Sequence, residues 1–206
     1  MKFDCSDPKE LISKVKDLDL KIIDLRFTDM PGSTHHISLP IRYLKENLFI
    51  EGVGFDGSSV RGFQSIEKSD MSMVPDVTTG YIDPFNSEKT IAFYCNVVDP
   101  VSYESYSRDP RFIAKKAENY LKSSGMGDTA YFGPEAEFFI FNDVKYDSGS
   151  NFAFHEVDST EGAWNTGRDE GPNLGHKPKH KGGYFPLPPS DSLQDLRTEM
   201  VLTMED

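Results

Sequence analysis

The run FGPEAEFFIF at residues 132–141 constrains the chain more than any other stretch. Its aromatic and apolar density predicts a strand, in which alternate side chains share a face. Glu135 and Glu137 then point one way together with Phe139 and Phe141, while Ala136, Phe138 and Ile140 point the other. Two carboxylates side by side among apolar groups repel each other and resist losing their water. That face must therefore be open to solvent or carry positive charge. The frequent explanation of a Glu-x-Glu pair is a solvated face. A half-apolar face with two acids at one end suits the mouth of a pocket better. Same-face neighbours lie about 6.5–7 Å apart at Cα, awkward for sharing one Mg²⁺ and comfortable for one ion each.

Charge narrows the choice of partner. Among 206 residues, 22 Lys and Arg face 34 Asp and Glu, a net charge of −12. Nucleic acid and anionic membrane surfaces call for basic patches, so the balance argues against both and suits a protein that binds cations. Cys5 and Cys95 are far apart, which makes a disulfide framework a poor fit and favours a reducing compartment. The start MKFDCSDPKEL has no apolar signal core, and no run approaches transmembrane length. Cytoplasmic residence is the expectation.

Local signals organise the first half. Asp7 as cap, Pro8 at the first helical position and Glu10 begin a helix whose stripe is Leu11, Ile12, Val15 and Leu18. KIIDLRF (21–27) predicts a strand that turns through DMPGST into HHISL, and a short helix is expected after Pro40 through Leu48. KTIAFYCNVV (89–98) is a further strand. Residues 1–104 thus predict a small α+β unit, and SYESYSRDPR reads as a connector into a new part of the chain, 105–206. Asp109 and Pro110 repeat the cap-then-proline start of a helix that Gly125 stops. Residues 142–183 are polar, rich in Gly, Asp and Asn, and predict a long loop. SDSLQDLRTEMVLTMED predicts a helix capped by Ser192, with an apolar line of Leu193, Leu196, Met200 and Met204. With no stop signal before the last residue, the chain reads as part of a longer one.

Two further segments carry chemistry. In GVGFDGSSVRGFQSIEKSDM (52–71), four glycines permit tight backbone paths, and Phe55 and Phe63 are placed to anchor a loop at both ends. As a lone tetrapeptide Asp-Gly-Ser-Ser is ordinary turn composition. An aspartate held in such a loop has the chemistry to orient an ammonium or take a proton. HKPKHKGGYFPLPPSDS (176–192) holds Lys177, Lys179 and Lys181, most simply a solvated basic loop. His176 and His180 among those lysines make a poor cation site, and His35 and His36 in the hairpin are expected to be structural.

FDGSSVRGFQSIEKSDM, FGPEAEFFIF and KGGYFPLPPSDSLQDLRTEM occur in that order, flanked by DLRFTDMPGSTHHISLP and SYSRDPRFIAKKAENYL. Together they resemble the N-terminal half of a bacterial-type (type I) glutamine synthetase, and the resemblance covers nearly the whole chain. It implies an α+β fold: a β-grasp-like N-terminal domain, then the start of a catalytic domain built on a curved antiparallel sheet, here truncated. It implies ATP-dependent ligation of ammonia to glutamate through a γ-glutamyl phosphate, with two or more Mg²⁺ or Mn²⁺ ions. Glu135 and Glu137 match the family's paired metal-ligand glutamates. Asp56 matches the aspartate that binds ammonium and helps deprotonate it, Ser59 a supporting serine, and Tyr184 lies in a segment associated with the nucleotide. The implied assembly is a double-ring dodecamer in which the Asp56 loop serves the adjacent subunit. Phe63 stands where the family usually has tryptophan, and Arg61 where it has glycine, which puts the nucleotide edge in question. The family's remaining metal ligands, substrate arginines and flap match no position up to Asp206, so this chain alone is expected to be inactive. Two rival readings accompany this one: a glutamate–amine ligase acting on a polyamine, and a non-catalytic structural relative, against which the retained acids argue.

Overall fold

The computed structural model describes residues 2–162, 177–178 and 181–205. They fall into two units, Met1–Tyr131 with Met204–Asp206, and Phe132–Thr203.

The first unit begins with α1 (Pro8–Val15), where the Asp7 carboxylate accepts from the Glu10 N–H and Leu11 and Val15 are buried. β1 (Ile22–Thr28) and β2 (Thr34–Pro40) form the expected hairpin, in register from Ile22↔Pro40 to Thr28↔Thr34. The expected helix after Pro40 is two pieces, a single 3₁₀ turn at Ile41–Tyr43 and the short α2 (Leu48–Glu51). The glycine-rich segment read as loop is framed by two strands, β3 (Val53–Asp56) and β4 (Asp70–Pro75). β5 (Tyr81–Asp83) and the long β6 (Thr90–Val98) follow, then α3 (Pro110–Ser124), which Gly125 ends in a left-handed conformation at φ 71°.

The sheet order is β2-β1-β6-β4-β3, with β5 also paired to β6. β1 and β6 run parallel and the other neighbours antiparallel. β6 is the central strand: Ile91, Phe93, Cys95 and Val97 on one face are fully enclosed, and on the other Thr90, Ala92 and Val98 are buried while Tyr94 is exposed. These join Leu11, Val15, Ile23, Leu25 and Met73 in one core. Both cysteines are buried free thiols, and burial pushes Cys95 up to about 12.

The other side chains of β1 make a polar network. Asp24 accepts from Arg26 Nε at 2.7 Å and Ser38 Oγ at 3.1 Å, and lies 2.7 Å from His36 Nδ1. The Arg26 guanidinium also donates to Asp83 and to the Tyr81 hydroxyl. His35 lies 2.9 Å from Asp29 Oδ2, so both histidines are held by carboxylates inside the hairpin, as structural groups.

In the second unit, β7 (Asp143–Ser148) and β8 (Ala153–Asp158) form an antiparallel hairpin inside the stretch predicted as loop. α4 (Gln194–Glu205) includes Leu196, Met200 and Met204 of the predicted line, all exposed, while Leu193 precedes it; the Ser192 hydroxyl donates to Glu161 rather than standing as a cap, and Asp191 accepts the Leu193 N–H at 3.2 Å. Residues 132–141 are not a paired strand: among the described residues no neighbour supplies the ladder hydrogen bonds that define one.

Candidate active site

Asp56 is the last residue of β3 and leads into a tight turn, Gly57–Ser59. Its carboxylate accepts three hydrogen bonds from that turn: Ser58 N–H at 2.8 Å, Ser58 Oγ at 2.6 Å and Ser59 Oγ at 3.0 Å. These donors, the Ser58 hydroxyl foremost, hold the exposed carboxyl below its ordinary range, so it is ionised at neutral pH. The turn needs glycine at 57, because a Cβ there would collide with the buried Met71 side chain, and the Gly57 N–H donates to Ser69 O at 2.6 Å. The two phenylalanines anchor the loop as their spacing suggested. Phe55 and Phe63 both pack on Phe27, with centroids 4.9 and 5.9 Å away. Across the strand pair, Asp70 stands directly opposite Asp56. That second exposed acid was not singled out in the sequence, since a register between strands 14 residues apart has no local signal.

Glu135 and Glu137 lie on an exposed run without regular secondary structure. The rings of Phe139 and Phe141 stack at 5.9 Å with an interplanar angle of 14°. Glu137 lines a cleft of about 530 Å³ together with its neighbours Ala136 and Phe138–Phe141 and with Glu161 and Arg197, so residues of both expected faces border it, whereas Glu135 does not. Glu161, from the stretch predicted as loop, was missed because no pattern distinguishes it there. The structure thus brings Asp56 and Ser59 together in one turn and keeps Glu135 and Glu137 on one short segment of the other unit. Tyr184 is exposed, its ring 4.5 Å from Phe185. Lys177 Nζ donates to Gly162 O at 3.3 Å, while His176, Lys179 and His180 lie outside the described residues.

The donor chemistry suits a hard divalent cation. Both glutamates present oxygen ligands, and neither is engaged by a cationic side chain among the described residues. Among those residues no group of three His, Cys, Asp or Glu side chains converges on one point. Mg²⁺ commonly takes one or two carboxylates and fills its remaining positions with water and phosphate oxygens, so the pair fits part of such a site.

Comparison with known proteins decides the family. The model of the glutamine synthetase β-grasp domain matches residues 19–100, and that of the glutamine synthetase catalytic domain matches residues 107–206. The chain belongs to the glutamine synthetase family. It is 51% identical over 197 residues to a glutamine synthetase from Microchaete diplosiphon, covering 96% of this chain and 42% of that protein. It is 52% identical over 194 residues to one from Frankia alni, covering 94% and 41%. The fold aligns with a cryo-EM structure of Plasmodium falciparum glutamine synthetase at a TM-score of 0.82 and 22% identity, over 100% of this chain and 41% of that one. The chain therefore spans about two fifths of the length of its glutamine synthetase relatives, and both recognised parts, the β-grasp domain and the start of the catalytic domain, occur in the expected order.

Proposed function

We propose that this chain forms the ammonium-binding part and a portion of the metal-binding part of a glutamine synthetase. Residues 1–104 are its N-terminal domain and 105–206 the first part of its catalytic domain. The reaction is ligation of ammonia to glutamate. The γ-phosphoryl group of ATP passes to the γ-carboxylate of glutamate, releasing ADP. Ammonia then adds to the acyl carbon of the γ-glutamyl phosphate, and phosphate leaves as the amide forms.

The observation that carries this reading is the Asp56 carboxylate, kept ionised by three donors of its own turn in a chain of this family. An anion whose affinity for protons is depressed is a better counter-ion than base. Its first task is therefore to concentrate ammonium. It then takes a proton from ammonium, freeing the lone pair of the ammonia that adds to the acyl carbon, and the added nitrogen sheds its surplus proton to solvent as phosphate leaves. Ser59 keeps the carboxylate oriented. Glu135 and Glu137 would hold Mg²⁺ or Mn²⁺, which when bound neutralises charge on the phosphates of ATP. Tyr184 belongs to the nucleotide side. The working protein is a homo-oligomer, a double-ring dodecamer, in the cytoplasm. Among the described residues no helix is long and apolar enough to cross a membrane.

The test uses the natural full-length protein supplied with glutamate, Mg-ATP and either ammonium or a polyamine. Glutamine and ADP are expected with ammonium. Asp56→Asn is expected to lower kcat/KM for ammonium by about 100-fold or more, the range for losing a positioned acid–base group. Glu135→Gln and Glu137→Gln are expected to raise the divalent-ion concentration needed for half-maximal rate. Product formed only with the polyamine, or no product from any amine, overturns the assignment.

A further inference from the structure

The loop carrying Asp56 is held from outside by two residues of the connector that precedes α3. Tyr106 Oη donates to Phe63 O at 2.7 Å, and its ring lies 5.2 Å from the Phe63 ring. The Arg108 guanidinium donates from one nitrogen to both Gly62 O and Phe63 O, each at 2.9 Å. Two consecutive loop carbonyls are thus clamped by a hydroxyl and a cation.

The clamp acts close to Asp56. Gln64 N–H donates back to Gly57 O at 3.3 Å, as does Val60 N–H at 3.3 Å, so the far end of the loop closes on the residue next to Asp56. The connector is itself fixed to the central strand. Tyr106 N–H donates to Val97 O at 2.9 Å, and the buried Asp109 accepts Val97 N–H at 2.9 Å. A continuous path of backbone hydrogen bonds and packed rings therefore runs from β6 through Tyr106 and Arg108 to the turn that presents the carboxylate. Gly62, at φ 81°, lets the chain double back so that both carbonyls face the clamp.

We infer that Tyr106 and Arg108 are positioning residues for Asp56, setting the loop geometry on which ammonium capture depends without touching ammonium. The inference rests on the reading of Asp56 given above. Arg108 is exposed, and its loss leaves the apolar core intact. Tyr106→Phe keeps the ring on Phe63 and removes only the hydroxyl. Each hydrogen bond lost is expected to raise KM for ammonium about fivefold, with a larger rise in the Tyr106→Phe/Arg108→Met double variant. KM for ATP and for glutamate should be unchanged.

The experiment measures all three KM values in the full-length enzyme for wild type, the double variant, Arg108→Lys and Asp56→Asn, with thermal unfolding in parallel. Support is a selective rise in ammonium KM in the double variant and a smaller selective rise in Arg108→Lys, which keeps the Tyr106 hydroxyl and one donor to the carbonyls. If Asp56→Asn impairs ammonium use and the double variant does not, the positioning role is overturned and the Asp56 assignment stands. If all three KM values rise together with a lowered Tm, the pair is merely structural and the inference fails. If Asp56→Asn leaves ammonium use unchanged, both readings fall.

Discussion

At the scale of single residues, the charge on an acid is decided by what its neighbours donate. Burial alone would raise Asp24, but hydrogen bonds from His36, Arg26 and Ser38 outweigh it and hold the carboxyl below its ordinary value. A carboxyl depressed in the folded state contributes stability above its unfolded pKa, and that contribution is lost as pH falls through the folded value. With an unfolded value of about 3.9, the contribution of Asp24 is complete at neutrality and declines below about pH 4. Asp24→Asn should therefore be least stable relative to wild type near neutral pH, with the gap closing in acid, as read by urea denaturation at several pH values. A gap that does not change with pH would contradict this account. Asp56 obeys the same rule through weaker, exposed partners. Its Asp-Gly-Ser-Ser stretch was legible as a turn, but the three hydrogen bonds that hold its charge are read only from the folded geometry.

At the scale of elements, the two cap-then-proline helix starts were both legible, and the structure makes them unequal. Asp7 is exposed and accepts one N–H at 3.4 Å. Asp109 is 1% exposed and accepts two, from Arg111 in its own helix and from Val97 in β6. Removing the first costs about 1 kcal/mol, the usual value of a cap. Removing the second also leaves a buried strand N–H unpaired, so Asp109→Ala is expected to destabilise by about 2–4 kcal/mol. Equal losses for Asp7→Ala and Asp109→Ala in chemical denaturation would refute the second role. The β7–β8 hairpin shows the opposite limit. Its pairs, Val144↔Val157 and Tyr146↔His155 among them, leave β7 wholly exposed. With no buried face to enforce alternation, the sequence carries no period-two signal strong enough to set it apart from a loop.

At the scale of the whole chain, apolar exposure is unevenly spread. Tyr131, Phe132, Phe139, Tyr184, Phe185 and Leu187 are each at least 80% exposed. Several of these border the Glu137 segment or the approach to α4. A polypeptide of these 206 residues alone is expected to self-associate and to bind an environment-sensitive dye such as ANS. A monomer with a sharp cooperative thermal transition and no dye binding would be the contrary result. The full-length protein should bind far less dye per chain.

The Asp7 and Asp109 caps, the β1–β2 turn, the buried Leu11 and Val15 of α1 and the buried run of β6 were determined by the amino-acid sequence itself, because each depends on residues within a few positions of one another. The ordered motifs that point to the glutamine synthetase family are likewise written along the chain. Tertiary structure alone decided that Phe27 underlies both ends of the Asp56 loop, that Asp70 faces Asp56, that Asp109 serves β6 as well as α3, and that Tyr106 and Arg108 reach back to residues 62 and 63. Those contacts join residues far apart in sequence. Their partners are chosen by sheet register and core packing, which no local pattern encodes.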